Sequence, residues 1–288
     1  MRALAEFIMR GRTQAVIMAL LGSWVPLLSQ GALGLVTLRK GWQEGLIITL
    51  WASLPAFVAL WVGDVAKVMA VAGIEVMFVA YLSSVTLRYT VSWPATLAAI
   101  VALSSLAAVV AAVMVEDVSQ QLVGFFREFM DAESQQALDD AQADLFANWS
   151  VVRAAGIIAV WVSLTTFAGL IVARWWQAML YNPGGFREEF HNLRLNPAVA
   201  MAASLGLLVA EVRGMDYAFW GLVFGMPLLV AGIGLLHCFV AAKKLGTWPL
   251  VAFYVGLFFI APLGIVVCLF GLSDVWIDYR KRFNLMQS

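Results

Sequence analysis

Along this chain, long apolar runs alternate with short charged interruptions. The clear apolar segments cover residues 45–63, 66–87, 93–115, 151–173, 197–210 and 216–241. The hydrocarbon core of a bilayer is about 30 Å thick, so a helix that crosses it needs roughly 20 apolar residues. The pattern predicts an all-α, polytopic transmembrane helix bundle that occupies residues 1–288 as a single domain.

Two further apolar segments, 15–38 and 248–275, are interrupted near the middle. A proline removes a backbone donor and clashes with the preceding turn, so each segment is predicted either to kink as one span or to fold back as two half-helices. The candidate helix breaks are Pro26, Gly31, Pro262 and Gly264.

The positions of the basic residues favour hairpins in both segments. Cytoplasmic loops of membrane proteins carry an excess of Lys and Arg. With hairpins and a cytoplasmic N-terminus, the 18 basic residues divide 14 inside to 4 outside, whereas single spans give 10 to 8. Half-helices are too short to cross the hydrocarbon, but a re-entrant turn is tolerated where protein covers it. We therefore predict two re-entrant hairpins, with both termini cytoplasmic.

Glu75 and His237 are the candidate intramembrane functional residues. Glu75 lies about nine residues from either flank of its segment, where a carboxylate costs several kcal/mol. It is either a carboxylate that couples proton or substrate movement, or a neutral acid hydrogen-bonded across a helix interface. His237 lies near the cytoplasmic end of its segment, as an interfacial histidine or, if the two residues meet, as a proton-relay partner of Glu75.

Pairs of small residues at a spacing of four predict close helix packing. Gly221 and Gly225 form a GxxxG pair, and Ala15 and Ala19 form an AxxxA pair. Such pairs let the backbones of neighbouring helices approach closely in a membrane. The sequence is rich in both residue types, so the pairs indicate a tightly packed bundle and no particular partner.

Two polar segments and the C-terminal tail stand apart from the spans. Segment 116–150 is strongly acidic and carries aromatic residues at helical spacing, which predicts an extracytoplasmic helical insertion. Segment 174–196 predicts a cytoplasmic amphipathic loop, either an interfacial helix or a grip for a protein partner. In the tail, Asp274 and Asp278 are four residues apart on one helix face. Two carboxylates on one helix cannot complete a cation site, so the tail is predicted to be an amphipathic helix at the cytoplasmic interface.

The sequence has few other residues or motifs that indicate a catalytic or binding function. No Walker, zinc-protease, nucleophile-elbow or dinucleotide-binding pattern is present, and the sequence holds two histidines. Cys238 and Cys268 have no metal-ligand spacing and are predicted to be small buried hydrophobes. A formal net charge of zero argues against nucleic-acid binding. We predict a protein that is not an enzyme and that needs no cofactor or metal.

Several stretches resemble the uncharacterised YybS-like family of bacterial multi-pass membrane proteins. They are MRALAEFIMRGR, the broken run that follows it, LVTLRKGWQEG, GGFREEFHNLRLNP and GLSDVWIDYRKR. That family is distantly similar to the substrate-binding subunits of energy-coupling-factor transporters, which are helical bundles that capture a vitamin or metal. The resemblance implies that Ala15 and Ala19, on the first helix, would dock a coupling subunit.

The leading prediction is a transport-related integral membrane protein, such as a substrate-capturing subunit for a small molecule. Its site would lie between the broken segments and the helix that carries Glu75. The alternative is a non-catalytic scaffold or assembly factor for the cell envelope, which would recruit partners through 116–150 or 174–196. The lipid bilayer is a partner in either case, and the predicted location is the bacterial cytoplasmic (inner) membrane.

Overall fold

The computed structural model describes residues 1–22, 25, 27–63, 66–128 and 149–283, and these form helices joined by short turns. The α-helices are α1 (Arg2–Arg10), α2 (Arg12–Leu21), α3 (Leu28–Lys40), α4 (Trp42–Val62), α5 (Lys67–Thr90), α6 (Trp93–Met114), α7 (Val118–Glu128), α8 (Val151–Tyr181), α9 (Gly185–His191), α10 (Pro197–Arg213), α11 (Ala218–Ala242), α12 (Trp248–Phe259), α13 (Ala261–Ile277) and α14 (Tyr279–Arg282). A 3₁₀ turn, Met215–Tyr217, leads into α11.

Five helical segments in the described part of the chain are long and apolar enough to cross a membrane. They are α4, α5, α6, α8 and the 3₁₀ turn together with α11. Large apolar side chains such as Trp61 and Val212 point outward, as expected for a surface in contact with lipid. The predicted all-α, multi-pass membrane architecture is confirmed.

The first broken segment folds back on itself. Arg12, which begins α2, forms an ion pair with Glu44, just after the end of α3, at 2.5 Å. The start of α2 and the end of α3 therefore lie at the same end of the bundle. The Ser29 hydroxyl donates to the carbonyl of Ala19 at 2.6 Å, and a Cβ on Gly22 would lie 2.5 Å from the backbone N of Ser29. The tight turn therefore requires glycine at position 22.

The second broken segment is also re-entrant. Helices α12 and α13 meet at 119°, and α13 packs against α11. Gly232 of α11 and Gly271 of α13 allow that packing, because a Cβ on either would lie about 2 Å from a backbone carbonyl of the other helix, at 2.1 Å and 2.2 Å respectively. The end of α13 returns to the turn that follows α9, through the arginine contacts described below.

Two of the predicted helix breaks are wrong. Gly31 lies inside α3 and Gly264 lies inside α13, and both helices run through them without interruption. Glycine weakens a helix but causes no clash, and in a packed bundle it is often kept because it lets a neighbour approach. Gly31 has this role, since a Cβ there would lie 3.0 Å from Val172 of α8.

The prolines behave differently from one another. The second break falls at Ile260, and Pro262 occupies the first turn of α13, where its missing N–H has no helical partner to lose. Pro55 and Pro227 lie inside α4 and α11 without ending either helix. Pro26 lies outside the described residues.

Most arginines gather at one end of the bundle, which we call the basic end. Arg88 at the end of α5 donates to the carbonyl of Leu38 at 2.5 Å, and the Arg39 guanidinium lies 3.7 Å above the ring of Tyr181 at the end of α8. Arg174 pairs with Glu189 there.

The other helix termini lie at the opposite end of the bundle. There the Trp220 indole donates to the carbonyl of Val152 at 2.9 Å, and Arg153 pairs with Asp216 at 3.1 Å. Lys67, Arg127 and Arg213 belong to elements that begin or end at this side. Spans that follow one another along the chain are therefore antiparallel, and the division of charge follows the hairpin topology.

Arginines fasten the C-terminal tail to the turn after α9, and we call this cluster the C-terminal clamp. The Arg280 guanidinium pairs with Asp274 and donates to the carbonyls of His191 at 2.7 Å and Leu193 at 2.8 Å. Arg194 pairs with Asp278 at 2.7 Å and donates to the last carbonyls of α13. Asp274 and Arg280 are buried.

The clamp changes the interpretation of the two tail aspartates. Asp278 ends α13 in a left-handed conformation, φ 50°, so Asp274 and Asp278 do not share a continuous helix face. Each is neutralised by an arginine, which leaves no pair of free carboxylates for a cation. Among the described residues, no group of three or more His, Cys, Asp or Glu side chains could hold a metal ion.

Cysteine labelling tests the hairpin topology. In a variant without Cys238 and Cys268, Arg10→Cys and Lys40→Cys should react with an impermeant maleimide from the same side of sealed vesicles. Arg213→Cys should react only from the other side. Labelling of Arg10→Cys and Lys40→Cys from opposite sides would show that 15–38 is a single span.

Loss of Arg280 should strongly destabilise the fold. Arg280→Ala leaves the buried Asp274 unpaired, so we expect a loss of about 3–5 kcal/mol in the free energy of unfolding. Thermal unfolding in detergent micelles measures it, with Arg282→Ala, at an exposed position, as the matched control. An unfolding temperature equal to that of Arg282→Ala would contradict the structural role of the clamp.

Candidate functional site

Glu75 is the ninth residue of α5, the helix at the centre of the bundle. Helix α5 packs against α3, α4, α6 and α8. Both carboxyl oxygens of Glu75 are buried, and neither has a hydrogen-bond partner within the described part of the chain. The cross-helix hydrogen bond considered for a neutral Glu75 is therefore not formed by these residues.

The first hairpin turns at the height of Glu75. Helices α3 and α5 run in the same direction with an offset of 50 positions: Arg88 bonds the carbonyl of Leu38, and a Cβ on Gly34 would lie 3.3 Å from the Ser84 hydroxyl. The same offset sets Glu75 level with residue 25, between α2 and α3. A carboxyl group inside the bundle and a non-helical turn thus occupy one depth.

Two unpartnered hydroxyls on α6 lie close to this depth. The side-chain oxygens of Ser104 and Ser105 are buried without a hydrogen-bond partner in the described residues. Helices α5 and α6 are antiparallel and joined at residues 91–92, so Ser105 and Glu75 differ in height by about one helical turn, roughly 5 Å. We call Glu75, Ser104 and Ser105 the Glu75 site.

Buried polar side chains without hydrogen bonds, such as those of the Glu75 site, are unfavourable for folding. A buried polar group without a hydrogen bond costs about 1–3 kcal/mol, and an ionised carboxylate far more. Charged residues inside membrane segments usually serve an ion or substrate pathway, a proton relay or a counter-ion. The Glu75 carboxyl group is therefore a candidate functional group.

His237 is kept apart from Glu75. Its Nε2 lies 2.8 Å from the hydroxyl of Tyr254 on α12, and its ring meets Phe190 edge-on at 5.4 Å between centroids. His237 lies near the end of α11 that is at the basic end of the bundle. Glu75 lies eight residues from the start of α5, and α5 starts at the opposite end of the bundle. The two candidates predicted from the sequence therefore do not form a relay pair in this structure.

A second histidine adjoins His237 outside the spans. Burial lowers the pKa of His191, and the nearby charges of Arg187, His237 and Arg280 lower it further. The lowered pKa favours the neutral imidazole of His191, and the positive charge at the basic end belongs to its arginines and lysines. The sequence pattern did not single out His191, because nothing along the chain shows which charges surround it.

A cavity of about 590 Å³ lies between α8, α10, α11 and α13. Its walls are mostly apolar, and we call it the apolar chamber. Ser163, Ser204 and Glu211 supply its polar groups, and the Ser204 hydroxyl is buried without a partner in the described residues. Ligand sites typically have volumes of roughly 300–1,000 Å³ and mainly apolar walls with a few polar groups.

Three glycines predicted for packing or for a helix break line this chamber: Gly221, Gly225 and Gly264. A Cβ on Gly225 would lie 3.0 Å from Leu207 of α10, so this glycine lets α10 and α11 approach. At Gly221 the nearest atom would be 3.6 Å away, which leaves room for a methyl group. The sequence pattern pointed to the helix contact but gave no sign of the chamber beside it.

The pair on α2 is also buried. Ala15 and Ala19 are at most 1% exposed, and α2 packs against α1, α3 and α4. Their small side chains therefore serve contacts within this chain. The docking surface that the family resemblance implied for them is covered by the protein's own helices.

Comparisons with known protein families, with curated proteins and with solved structures find no match for this chain. The geometry of the Glu75 site and of the apolar chamber is therefore the basis for inferring function.

The burial of Glu75 predicts a selective reaction with dicyclohexylcarbodiimide, an apolar reagent that adds to protonated carboxyl groups. We expect one adduct on Glu75 by peptide mass spectrometry, and less of it as the pH rises, because only the protonated acid reacts. Glu75→Gln should abolish the adduct, whereas Glu211→Gln, at an exposed position, should not. An adduct that persists in Glu75→Gln would contradict this description of the site.

Proposed function

We propose that this protein is transport-related and that Glu75 is its proton-binding group. In this proposal the carboxyl group takes up a proton on one side of the membrane and releases it toward the other, in step with movement of the first hairpin. The observation that carries the proposal is the buried carboxyl group without a hydrogen-bond partner, at the depth where the α2–α3 segment is broken.

Broken helices support this function on physical grounds. In many transporters, discontinuous helices form the substrate and coupling-ion sites near the middle of the bilayer, because their unpaired backbone groups can contact a ligand. Here α2 packs against α4, and α3 packs against α4, α5 and α8. A change in the charge of Glu75 would alter the electrostatic environment of the turn between α2 and α3.

The apolar chamber is the proposed substrate site. Its few polar groups, Ser163, Ser204 and Glu211, favour a small, mainly apolar molecule that carries a cationic or hydrogen-bonding group. Helix α8 packs against both α5, which carries Glu75, and α11, which lines the chamber. A shift of α8 would connect events at the two sites.

The proposed location is the cytoplasmic (inner) membrane of a bacterium, with the basic end and both termini in the cytoplasm. The support is the positive-inside rule, applied to an end of the bundle where the arginines are concentrated. A role as the substrate-capturing subunit of a larger transporter belongs to the same proposal. Since Ala15 and Ala19 are buried, a coupling subunit would need another surface.

A scaffold for envelope assembly is the second candidate function. It is favoured by segment 174–196, where Arg187 and Glu188 are exposed and form no ion pair within the described residues, and by the absence of Glu75 from the lining of the chamber. A scaffold would use Glu75 only as a packed neutral acid. Its function would then survive the loss of the carboxyl group.

The two functions predict different outcomes for Glu75→Gln. In a deletion strain, transport requires that Glu75→Gln abolish the uptake restored by the wild-type gene, because the amide cannot release a proton. Glu75→Asp should retain part of it. The measurement compares the metabolites taken up from the medium by strains that express equal amounts of each variant.

Glu188→Gln is the matched control, since it removes a carboxylate from an exposed position. It should leave uptake unchanged. If Glu75→Gln restores every phenotype of the deletion strain, the transport proposal is wrong. Recovery of envelope proteins with the purified Glu75→Gln variant would then support the scaffold.

A further inference from the structure

A cleft of about 600 Å³ opens at the basic end, between α1, the last turns of α8 and the turn that leads into α9. Two arginines line it, Arg2 and Arg187, and neither the transport proposal nor the C-terminal clamp uses them. The rest of its lining is largely apolar and includes Trp175, Met179 and Phe186. The cleft therefore combines positive charge with an apolar floor.

The two arginines differ in how they are paired. Arg187 is exposed and forms no ion pair within the described part of the chain. Arg2 pairs with Glu6 at 3.0 Å, but both side chains are largely exposed, so this bond is weak and easily exchanged. Both guanidinium groups are thus available to an anion, and each can hold two of its oxygens.

The cleft lies where lipid headgroups would be. Helix α1 lies at the basic end, with Ala5 and Ile8 buried against the bundle. Trp175, on the last turns of α8, is 41% exposed, and tryptophan is enriched at the height of the headgroups. An occupant of the cleft would therefore have its charged group beside the arginines and its apolar part along α8.

We propose that this cleft binds the headgroup of an anionic phospholipid. The phosphate pairs with Arg2 and Arg187, and the upper part of an acyl chain lies on Trp175 and Met179. Basic pockets between membrane helices on the cytoplasmic side are suited to such headgroups. The apolar floor favours a lipid over a free phosphate, because a soluble anion would leave that surface without a partner.

The experiment measures bound lipid by native mass spectrometry. Protein purified in detergent is mixed with equal amounts of phosphatidylglycerol and phosphatidylcholine. We expect wild-type protein to retain phosphatidylglycerol in preference. Arg187→Gln and Arg2→Gln should each lower the bound phosphatidylglycerol about fivefold, the effect expected of one basic residue near an anionic surface. Phosphatidylcholine binding should not change.

Lys243→Gln is the matched control, because Lys243 is an exposed basic residue outside the cleft. It should leave lipid binding as in the wild type. Unchanged thermal unfolding temperatures would establish that the variants remain folded. If Arg187→Gln loses its fold, Arg187→Met replaces it, because it removes the charge but keeps an apolar side chain, and it should lower the bound phosphatidylglycerol to the same extent.

Three results would overturn the proposal. The first is equal retention of phosphatidylglycerol by the wild type and by the double variant of Arg2 and Arg187. The second is displacement of the lipid by water-soluble glycerol phosphate, which would identify a site for free phosphate. The third is a dimer that dissociates when Arg187 is replaced, which would identify a second copy of the chain as the occupant.

Discussion

The fold depends on one constraint: inside the hydrocarbon no water is present to bond backbone groups, so the protein must satisfy them itself. Spanning helices do so along their length, but each of the two re-entrant segments has a helix break partway along it. Around the first hairpin, the Ser29 hydroxyl takes up the carbonyl of Ala19. Helix α3 is surrounded by α2, α4, α5 and α8, and Ala32, Leu33 and Leu35 are fully buried. A short helix that cannot cross the bilayer is stable there because other helices replace the lipid around it.

The same constraint explains the arginines at the basic end. The last carbonyls of a helix have no partner within it. The turn after α9, which lies beside the end of α13, also has carbonyls without a backbone partner. Arg194 donates to the carbonyls of Asp274 and Val275, while Arg280 donates to those of His191 and Leu193. Guanidinium groups suit this task because each offers five donors in a fixed plane. These arginine contacts at the end of α13 thus hold the second hairpin in place.

Against this background, the unsatisfied groups are informative. Among the described residues, seven side chains have buried polar atoms without a hydrogen bond: Glu75, Ser83, Ser104, Ser105, Thr166, Trp176 and Ser204. Four of them, Glu75, Ser104, Ser105 and Ser204, belong to the Glu75 site or line the apolar chamber, and none belongs to the C-terminal clamp. Unpaired polar atoms that a protein retains despite their cost are expected where a proton, a ligand or a change of conformation completes them.

The sequence by itself determined the membrane architecture, the division of charge between the two ends and the unusual position of Glu75, because segment length and the cost of buried charge act locally. Only the tertiary structure decided at which positions the helices are interrupted. Pro55 and Pro227 are accommodated within helices, Gly31 and Gly264 also lie inside helices, and the second break falls at Ile260. It also separated His237 from Glu75, buried the Ala15–Ala19 pair and paired the tail aspartates with arginines. Those outcomes depend on which helices become neighbours, and contacts between residues distant in the chain leave no periodic signal along it.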